Sequence, residues 1–382
     1  MIAGIETYKN RPTRAEISIS NLCNNLSIVK SFINNDVKIM AMVKANAYGH
    51  GLYEVSSELL KQGVEYLGVA FLEEGIYLRK CGIQAPIVVL GAITTDQIAE
   101  FIQHDIEITS SSIDKSVAIA AVAKNMRKEA KVHLKIDTGM ERIGVHWYHA
   151  EKFIEKSYEC ESVTIKGICS HFAKAETDPD FTHQQLNHFE SVLNMMEKNG
   201  LLPELIHIAN SAGIMNYKNS HYTMVRPGIM LYGYNPNGYL PDVRFGDRKL
   251  KPVMTLKTKV AYFKVVPAQT GISYNHTYTT GKQTRIVTLP IGYGDGYFRQ
   301  LSNKGEVLIR EEKYPVVGTV CMDQCMVDIG MDGSAYNGDD VLLFGEMNGN
   351  TISLETLCDS IGTVTYEFLC GITSRVPRVY VE

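Results

Sequence analysis

The feature that most restricts the fold is an alternation of short apolar runs with longer amphipathic stretches across residues 14–234. Strands alternating with helices predict βαβ units and a parallel sheet. About eight units over roughly 230 residues fit an α/β fold of the (β/α)8 TIM-barrel type, and a doubly wound open sheet is the alternative. The predicted strands are residues 37–43, 66–70, 87–90, 106–109, 132–136, 164–170, 205–209 and 228–232. The predicted helices are residues 53–61, 72–81, 95–103, 113–128, 149–158 and 181–199.

The pattern changes after about residue 236, where glycine and proline become denser and short β-rich runs follow one another. Such runs with turn signals between them predict a mostly antiparallel β domain. We therefore divide the chain into a barrel domain, residues 1–240, and a C-terminal β domain, residues 241–382. The predicted strands of the second domain are residues 254–266, 284–289, 306–309, 314–320, 325–329, 341–344 and 376–381, with one helix at 353–360.

Composition narrows the class of protein. Hydrophobic residues make up 45% and charged residues 21% of the 382 residues, which excludes a disordered or coiled-coil chain. The net charge of −4 gives no indication of nucleic-acid binding. No apolar run reaches the roughly 18 residues of a membrane helix, and residues 1–14 lack a secretory signal pattern. Eight scattered cysteines form no dense disulfide framework, so we expect a reduced, cytoplasmic protein.

Lys44 stands at the carboxyl end of the first predicted barrel strand, and Gly49-His50-Gly51 follows it closely. In a barrel, that end of the strands carries the active site. A lysine there can form a Schiff base with a carbonyl cofactor, whereas a surface lysine at a strand end is the structural alternative. The two glycines favour the first interpretation, because they let the backbone approach a ligand.

His133 and Lys135 lie two residues apart and therefore share one face of their predicted strand. This places them in the barrel interior or at its mouth, where buried charge must be paired. Asp137 and Arg142 follow closely and are candidate partners. The pattern predicts an internal ion-pair network or part of a functional site.

Residues 210–213 (Asn-Ser-Ala-Gly) and 226–229 (Arg-Pro-Gly-Ile) each follow a late strand. Barrels often bind phosphate in the loops after strands seven and eight, and backbone N–H groups beside a serine hydroxyl suit that role. In the β domain, tyrosines occur in the glycine-bounded segments 271–275 and 290–297. Cys321 and Cys325 lack a second pair or clustered histidines, so we predict no metal site.

Together these segments resemble those of the alanine racemase family, in the same order, over residues 14–380. The resemblance implies an N-terminal barrel that binds pyridoxal 5′-phosphate, a C-terminal β domain and a small amino-acid substrate. It also implies a head-to-tail homodimer in which each active site takes residues from both subunits. The segments that carry it are AMVKANAYGHG, HLKIDTGMERIG, SHFAKAE, ANSAG, VRPGIMLYG, GISYN, IGYGDGY, VCMDQCM and TVTYE.

The resemblance also implies individual roles. Lys44 matches the Schiff-base lysine, and Tyr274 of the partner subunit matches the second acid/base. Arg226 matches the residue that bonds the pyridine nitrogen, with His171 behind it. Lys135 matches a lysine often found carbamylated. Further cofactor contacts fall on Tyr48, Arg142, Asn210, Ser211, Gly228, Ile229 and Tyr366. Substrate contacts fall on Arg142, Met322, Asp323 and Tyr293.

The implied reaction is interconversion of L- and D-alanine, which supplies D-alanine for peptidoglycan. Two bases on opposite faces of Cα accomplish it, and we expect Tyr274 on the L face and Lys44 on the D face.

Two alternatives stay open. One is a serine, or alanine and serine, racemase of the vancomycin-resistance type, and the chain could then be the excised catalytic domain of a membrane-anchored protein. Those relatives have an asparagine near the position of Tyr366, whose ring limits room beside the substrate methyl and favours alanine. The family often has arginine or another polar cation where Thr319 stands, so the corridor to the site could differ in charge. A barrel decarboxylase that uses the same cofactor is less consistent with GISYN and VCMDQCM.

Overall fold

The structure, a computed structural model, describes residues 11–236 and 248–382. The boundary predicted between residues 240 and 241 lies outside the described residues. The first strand, β1 (Arg14–Ser18), belongs to the second sheet, although by sequence it lies in the predicted barrel segment. The strands that follow it through the barrel segment are β2 (Lys38–Met42), β3 (Tyr66–Val69), β4 (Ile87–Val89), β5 (Glu107–Ser110), β6 (Ala130–Asp137), β7 (Val145–His146), β8 (Val163–Cys169), β9 (Leu205–His207) and β10 (Met224–Val225).

Eight of these strands form a nearly closed parallel barrel in the order β10-β2-β3-β4-β5-β6-β8-β9, while β7 pairs beside β6. Two backbone hydrogen bonds bring the free edges together: the N–H of Thr223 donates to Ile206 O at 3.3 Å, and that of Arg226 donates to Ala209 O at 2.9 Å. The predicted (β/α)8 barrel is confirmed. Because all eight strands run the same way, their carboxyl ends meet at one rim.

Helices cover the outside of the barrel, and some of them begin at a side-chain cap. The hydroxyl of Ser112 accepts the N–H of Lys115, and the carboxylate of Asp178 accepts that of Phe181 just before a helix with proline at its start. These helices are α1 (Ile19–Phe32), α2 (Lys44–Tyr48), α3 (Leu52–Lys61), α4 (Leu72–Lys80), α5 (Ile98–Gln103), α6 (Ile113–Met126), α7 (Ala150–Tyr158), α8 (Pro179–Lys198) and α9 (Ser211–Asn216). Of these, α2 is a left-handed turn and is described with the site.

The second domain is mostly antiparallel, as predicted, with one large sheet and a separate two-stranded sheet. Its strands are β11 (Met254–Lys259), β12 (Tyr262–Val266), β13 (Gly271–Ile272), β14 (Tyr278–Thr279), β15 (Thr284–Leu289), β16 (Glu306–Ile309), β17 (Glu312–Val317), β18 (Cys325–Asp328), β19 (Asp340–Met347), β20 (Asn350–Ile352) and β21 (Arg378–Val381). Two helices, α10 (Leu354–Ile361) and α11 (Thr365–Gly371), precede β21. Strand β1 pairs antiparallel with β11 and parallel with β21, so the start of the described chain is tied to this domain.

Two sequence expectations need correction. Residues 228–232 are buried and apolar, but they form turns, and the eighth barrel strand is instead β10. Pro227 has no N–H to donate to a neighbouring strand, and the backbone turns at Gly228. Residues 254–266 form two strands, β11 and β12, rather than one. None of the described helices has the length and apolarity needed to cross a bilayer.

Candidate active site

A cavity of about 610 Å³ opens at the carboxyl ends of the barrel strands. It is bounded by the loops after β2, β3, β4, β6, β8, β9 and β10, and one wall comes from α11 of the second domain. The structure therefore brings together most of the residues that the sequence had singled out. The predicted residues that line it are Lys44, Tyr48, Lys135, Arg142, His171, Asn210, Ser211, Arg226, Gly228, Ile229 and Tyr366.

Lys44 lies two residues after the end of β2 and lines this cavity. Burial and the nearby Arg142 guanidinium lower the pKa of its amine below the ordinary value for lysine. A lowered pKa makes the neutral amine more available, and that is the form that attacks a carbonyl or accepts a proton.

The four residues after Lys44 are left-handed, with φ of 53° at Ala45, 57° at Asn46, 53° at Ala47 and 51° at Tyr48. For L-residues this conformation costs roughly 1–2 kcal/mol each, so other contacts must hold it. The side-chain oxygen of Asn46 accepts the N–H of Leu52 at 2.9 Å. Gly49 and Gly51, with φ of 85° and 107°, then let the chain leave the turn.

Three further contacts fix the same turn. The carboxylate of Glu74 accepts the N–H of Ala45 at 2.6 Å, and the Nδ1 of buried His50 donates to the carbonyls of Ala47 (3.0 Å) and Tyr48 (2.8 Å). The turn delivers the Tyr48 ring onto that of Tyr232, with centroids 4.6 Å apart.

Ser211 and Gly228 join two loops into a small-residue cradle. The Ser211 hydroxyl accepts the backbone N–H groups of Gly228 at 2.9 Å and Met230 at 3.3 Å. A Cβ at position 228 would lie 2.6 Å from the Tyr48 hydroxyl, so glycine is required for Tyr48 to reach this loop. Asn210 caps the following turn by accepting the N–H of Gly213 at 2.9 Å.

The guanidinium of Arg226 is held at both terminal nitrogens. Nη1 donates to His207 Nδ1 (2.6 Å) and His207 O (2.8 Å), and Nη2 donates to Ser170 O (2.8 Å), Ile208 O (3.0 Å) and His171 Nδ1 (3.1 Å). No described residue accepts from Nε, which is left for a ligand in the cavity. Burial lowers the pKa of Arg226 to about 10, and burial beside Arg226 holds the pKa of His171 well below its usual range.

The cavity has an excess of positive charge. Lys44, Lys135, Arg142 and Arg226 all line it, and none of them forms an ion pair within residues 11–236 and 248–382. Burial is the main cause that lowers the pKa of Lys135 to about 8. Glu176 is an acidic residue of the lining, and burial raises its pKa. Such a site fits an anionic ligand that also accepts a hydrogen bond from Arg226.

The predicted residues of the second domain lie elsewhere. Tyr274, Tyr293 and Met322 are 68%, 42% and 52% exposed, Asp323 is exposed, and none of the four lines the cavity of its own chain. Hydrogen bonds tie two of them to the segment before Met322: Thr319 Oγ1 donates to Tyr274 O at 2.9 Å, and the N–H of Tyr293 donates to Cys321 O at 3.0 Å. They form a second group, on the surface of the β domain.

The candidate partners of His133 need correction. His133 contacts Glu107 (2.7 Å) and His207 (3.0 Å) rather than Asp137 and Arg142. Asp137 instead accepts three backbone N–H groups of the loop that follows it. Glu107 and His207 were missed, although a charged or polar residue inside an otherwise apolar strand was a usable signal. Glu74 was also missed, because a glutamate in the first turn of an amphipathic helix carries no such signal.

These observations define a class. The rim of this (β/α)8 barrel has a lysine with a lowered pKa, a positively charged cavity and an arginine donor. These features are typical of an enzyme that binds an anionic carbonyl cofactor through lysine.

Comparison with known proteins gives the family. The family model described as "Alanine racemase, N-terminal domain" matches residues 17–236, and "Alanine racemase, C-terminal domain" matches residues 253–380. Over 97% of its length the chain is 41% identical to "Alanine racemase 2" of Caldanaerobacter subterraneus subsp. tengcongensis, of which 95% is covered. The chain therefore belongs to the alanine racemase family, as the sequence predicted.

Solved structures agree. Alanine racemase of Clostridium difficile 630 matches with a TM-score of 0.90 and 39% identity, over 99% of this chain and 97% of that one. Alanine racemase of Bacillus anthracis with bound L-Ala-P matches with a TM-score of 0.91 and 34% identity, over 99% and 96%. Since the family depends on pyridoxal phosphate, the predicted cofactor is confirmed.

Proposed function

We propose that this chain interconverts L- and D-alanine with pyridoxal phosphate bound at the carboxyl end of its barrel. The observation that carries the proposal is a single cavity that contains Lys44, the unused Nε donor of Arg226 and the cradle of Ser211 and Gly228. The chain is an isomerase of the alanine racemase type.

The residues present fit the cofactor. The amine of Lys44 would bond to its carbonyl carbon, and the cradle at Ser211 and Gly228, with Tyr48 and Tyr366, would hold its phosphate. The two tyrosine rings lie 6.1 Å apart, centroid to centroid, at the cavity wall. Asn210 and Ile229 support the same loops, and Arg142 would face the phenolic oxygen.

Arg226 would donate through Nε to the pyridine nitrogen. When bound, pyridoxal phosphate withdraws electrons from the substrate Cα and so lets its proton leave. Even with a pKa lowered to about 10, Arg226 stays protonated at neutral pH and keeps its donors. It therefore presents an N–H and takes up no proton from the ring nitrogen, and His171 behind it accepts from Nη2.

Lys44 moves the proton on one face of the substrate. Its lowered pKa, caused first by burial, favours the neutral amine that accepts a proton from Cα. We assign it to the D face. The opposite face requires a second group, which we assign to the partner subunit.

Tyr274 of the partner subunit supplies that group, on the L face. The support is its position: in its own chain the ring is 68% exposed and outside the cavity, on the same surface as Tyr293, Met322 and Asp323. A head-to-tail homodimer would place this surface over the barrel rim of the partner. The active sites would then be shared, with Met322 and Asp323 contacting substrate and Tyr293 lining the entrance.

Lys135 is carbamylated in this proposal. Its pKa of about 8 leaves neutral amine near neutral pH, which can attack CO2, form an N–C bond and release one proton. The product is an anion beside Arg142, in a cavity that otherwise has an excess of cations. A carbamate there would orient Arg142 toward the phenolic oxygen and the substrate carboxylate.

Alanine is the substrate that the cavity favours. Tyr366 lines it, and its ring limits the room beside the substrate methyl. Such a pocket rejects an added hydroxyl only by about a hundredfold, so slow turnover of serine is expected.

Two further proposals concern the whole chain. The division into residues 1–240 and 241–382 is supported by the separate large sheets of the two parts, although β1 of the first part pairs with strands of the second. A cytoplasmic location is supported by the eight cysteines, all of which are free thiols in this structure.

A chiral assay tests the function. The protein, loaded with pyridoxal phosphate, is incubated separately with L-alanine, L-serine and L-lysine, and the enantiomers are separated by chiral chromatography. We expect L-alanine to reach an equal mixture fastest. A Lys44→Ala variant should show no turnover. Faster racemisation of serine or lysine, or decarboxylation of any of the three, would contradict the proposal.

A further inference from the structure

Four buried side chains form a continuous hydrogen-bonded chain through the barrel interior. Glu107 Oε2 lies 2.7 Å from His133 Nε2, His133 Nδ1 lies 3.0 Å from His207 Nε2, and His207 Nδ1 lies 2.6 Å from Arg226 Nη1. The exposed fractions of the four are 2%, 0%, 0% and 4%. The chain leads from the amino end of β5 to the floor of the cavity.

The donors and acceptors permit only one direction along this chain. A guanidinium donates and never accepts, so His207 Nδ1 must accept from Arg226. The proton of a neutral His207 then lies on Nε2 and is donated to His133 Nδ1. His133 in turn carries its proton on Nε2 and donates it to the Glu107 carboxylate.

A protonated His207 would break this order, because its Nδ1–H would face a donor of Arg226. The pKa of His207 lies well below its usual range, first because of burial and next because of the Arg226 charge. The His207 ring therefore stays neutral. Since its Nε2–H donates to His133 Nδ1, both rings direct a lone pair toward Arg226 and an N–H group toward Glu107.

A glycine makes room for the contact between His133 and His207 inside the barrel. Gly167 of β8 is paired in register with His133 of β6, and a Cβ on it would lie 2.5 Å from His133 Nδ1. Since β8 separates β6 from β9, His133 can reach His207 only because position 167 has no side chain.

We infer that Glu107, His133 and His207 are positioning residues that hold Arg226 as a cation, with its Nε aimed at the pyridine nitrogen. This inference rests on the proposed function. The carboxylate at the far end polarises both imidazoles in the same direction, so that each presents its negative end toward Arg226. Glu107 is separated from Arg226 by the two histidine side chains. Through them it offsets part of the desolvation free energy of burying the guanidinium.

The first test uses the native protein and needs no substitution. Nitrogen NMR of the histidine-labelled protein, with and without pyridoxal phosphate, reports which ring nitrogen carries the proton. We expect His133 and His207 each to carry a single proton, on Nε2, in both states. A doubly protonated ring or an Nδ1–H form at either position would overturn the inference.

The second test is Glu107→Gln, which keeps an acceptor for His133 but removes the charge. We expect kcat for alanine to fall about tenfold with KM changed less than twofold. A less firmly positioned Arg226 should also raise transamination, in which alanine gives its amino group to the cofactor and leaves as pyruvate. Pyruvate formed per racemisation event should rise about tenfold, a change that simple loss of folded protein would not produce.

The matched control is Glu65→Gln, at the residue that precedes β3. Glu65 accepts the backbone N–H of Ile39 at 3.0 Å but does not contact the histidines. Its pyruvate ratio should equal that of the parent. If the two variants behave alike, Glu107 has no positioning role. If the parent itself fails to racemise alanine, the proposed function fails, while the NMR result still decides how the chain is protonated.

Discussion

The carboxylate of Glu74 accepts the backbone N–H of Ala45 at 2.6 Å, and so fixes the first residue of the left-handed turn beside Lys44. Its other oxygen accepts the N–H of Ala70 at 3.0 Å, at the end of the neighbouring strand. Two barrel loops are therefore joined through one side chain. The position of Lys44 after β2 therefore depends on the contacts of Glu74 as well as on the strand.

Glu74→Gln should destabilise the protein by about 1–2 kcal/mol, because an amide offers one acceptor oxygen where the carboxylate offers two, without charge. The measurement is urea unfolding monitored by circular dichroism, with the loaded enzyme assayed for alanine racemisation in parallel. Glu73→Gln, on the same helix turn but exposed, is the control and should change stability by less than about 0.5 kcal/mol. Equal losses in the two variants would show that the turn does not depend on Glu74.

Gly49→Ala should destabilise the protein by more than the backbone cost of placing alanine at a positive φ. Gly49 has φ of 85°, and a Cβ there would clash with the carbonyl oxygen of Leu369 in α11 of the second domain. Gly82 has φ of 91° but nothing within 4 Å of the same atom, so Gly82→Ala measures the backbone cost by itself. We expect about 1 kcal/mol for Gly82→Ala and a further 1–3 kcal/mol for Gly49→Ala in urea unfolding. A difference near zero would mean that α11 moves away freely.

The place of Lys44 could be predicted from the sequence, while its local geometry could not. An apolar run followed by lysine and two glycines marks a strand end and a loop that approaches a ligand. The left-handed conformation at residues 45–48 has no such signal, since alanine and tyrosine do not favour it. It is imposed by Glu74, 29 residues further along, and by His50.

In the barrel interior, too, the sequence predicted where residues lie but not which residues they contact. Alternation correctly placed His133 and Lys135 on one buried face, but nearest neighbours in sequence were the wrong choice of partners. The actual partners come from β5 and β9, and only strand order and register decide which side chains meet inside a barrel. Residues 228–232 show the converse: burial makes turns as apolar as strands, so an apolar run alone did not locate β10.

Lys135→Met should stabilise the protein in a pH-dependent way in CO2-free buffer. The pKa of Lys135 is about 8 in the folded protein, below the roughly 10.4 of an unfolded lysine. Between these values the unfolded chain binds more protons, so the stability of the parent rises with pH across this window. The advantage of the methionine variant should therefore be greatest below pH 8, at most about 3 kcal/mol, and vanish near pH 10.4.

Lys131→Met is the control for this experiment. Lys131 lies on the same strand, but its side chain is 41% exposed and pairs with Asp105 at 2.7 Å. Its effect should stay within about 1 kcal/mol at every pH. A stability difference for Lys135→Met that does not change between pH 7 and pH 10 would contradict the buried-amine interpretation. Added bicarbonate should reduce the difference at pH 8, because carbamylation replaces the buried cation by an anion beside Arg142.

Thr319→Val should slow racemisation without changing cofactor binding. The Thr319 hydroxyl donates to the carbonyl of Tyr274 at 2.9 Å, and valine keeps the shape while losing that bond. Loss of about 1 kcal/mol of positioning corresponds to a five- to tenfold lower kcat. Thr319→Ser restores the donor and should restore most of the rate. A valine variant with the parent kcat would show that the backbone of Tyr274 is held by its other contacts.

Tyr274→Phe separates the two faces of the reaction. A positioned acid/base contributes about 10²- to 10⁴-fold, so racemisation should fall by that factor in both directions, because each direction needs both groups. In D2O, however, Lys44 should still remove and return the Cα proton of D-alanine on its own face. D-alanine should therefore exchange its Cα hydrogen for deuterium faster than it racemises, while L-alanine should not.

The control is Tyr262→Phe, at an exposed tyrosine of the same domain, and this variant should match the parent with both enantiomers. Exchange of L-alanine in place of D-alanine would reverse the assignment of Tyr274 and Lys44, and full racemase activity would remove Tyr274 from the mechanism.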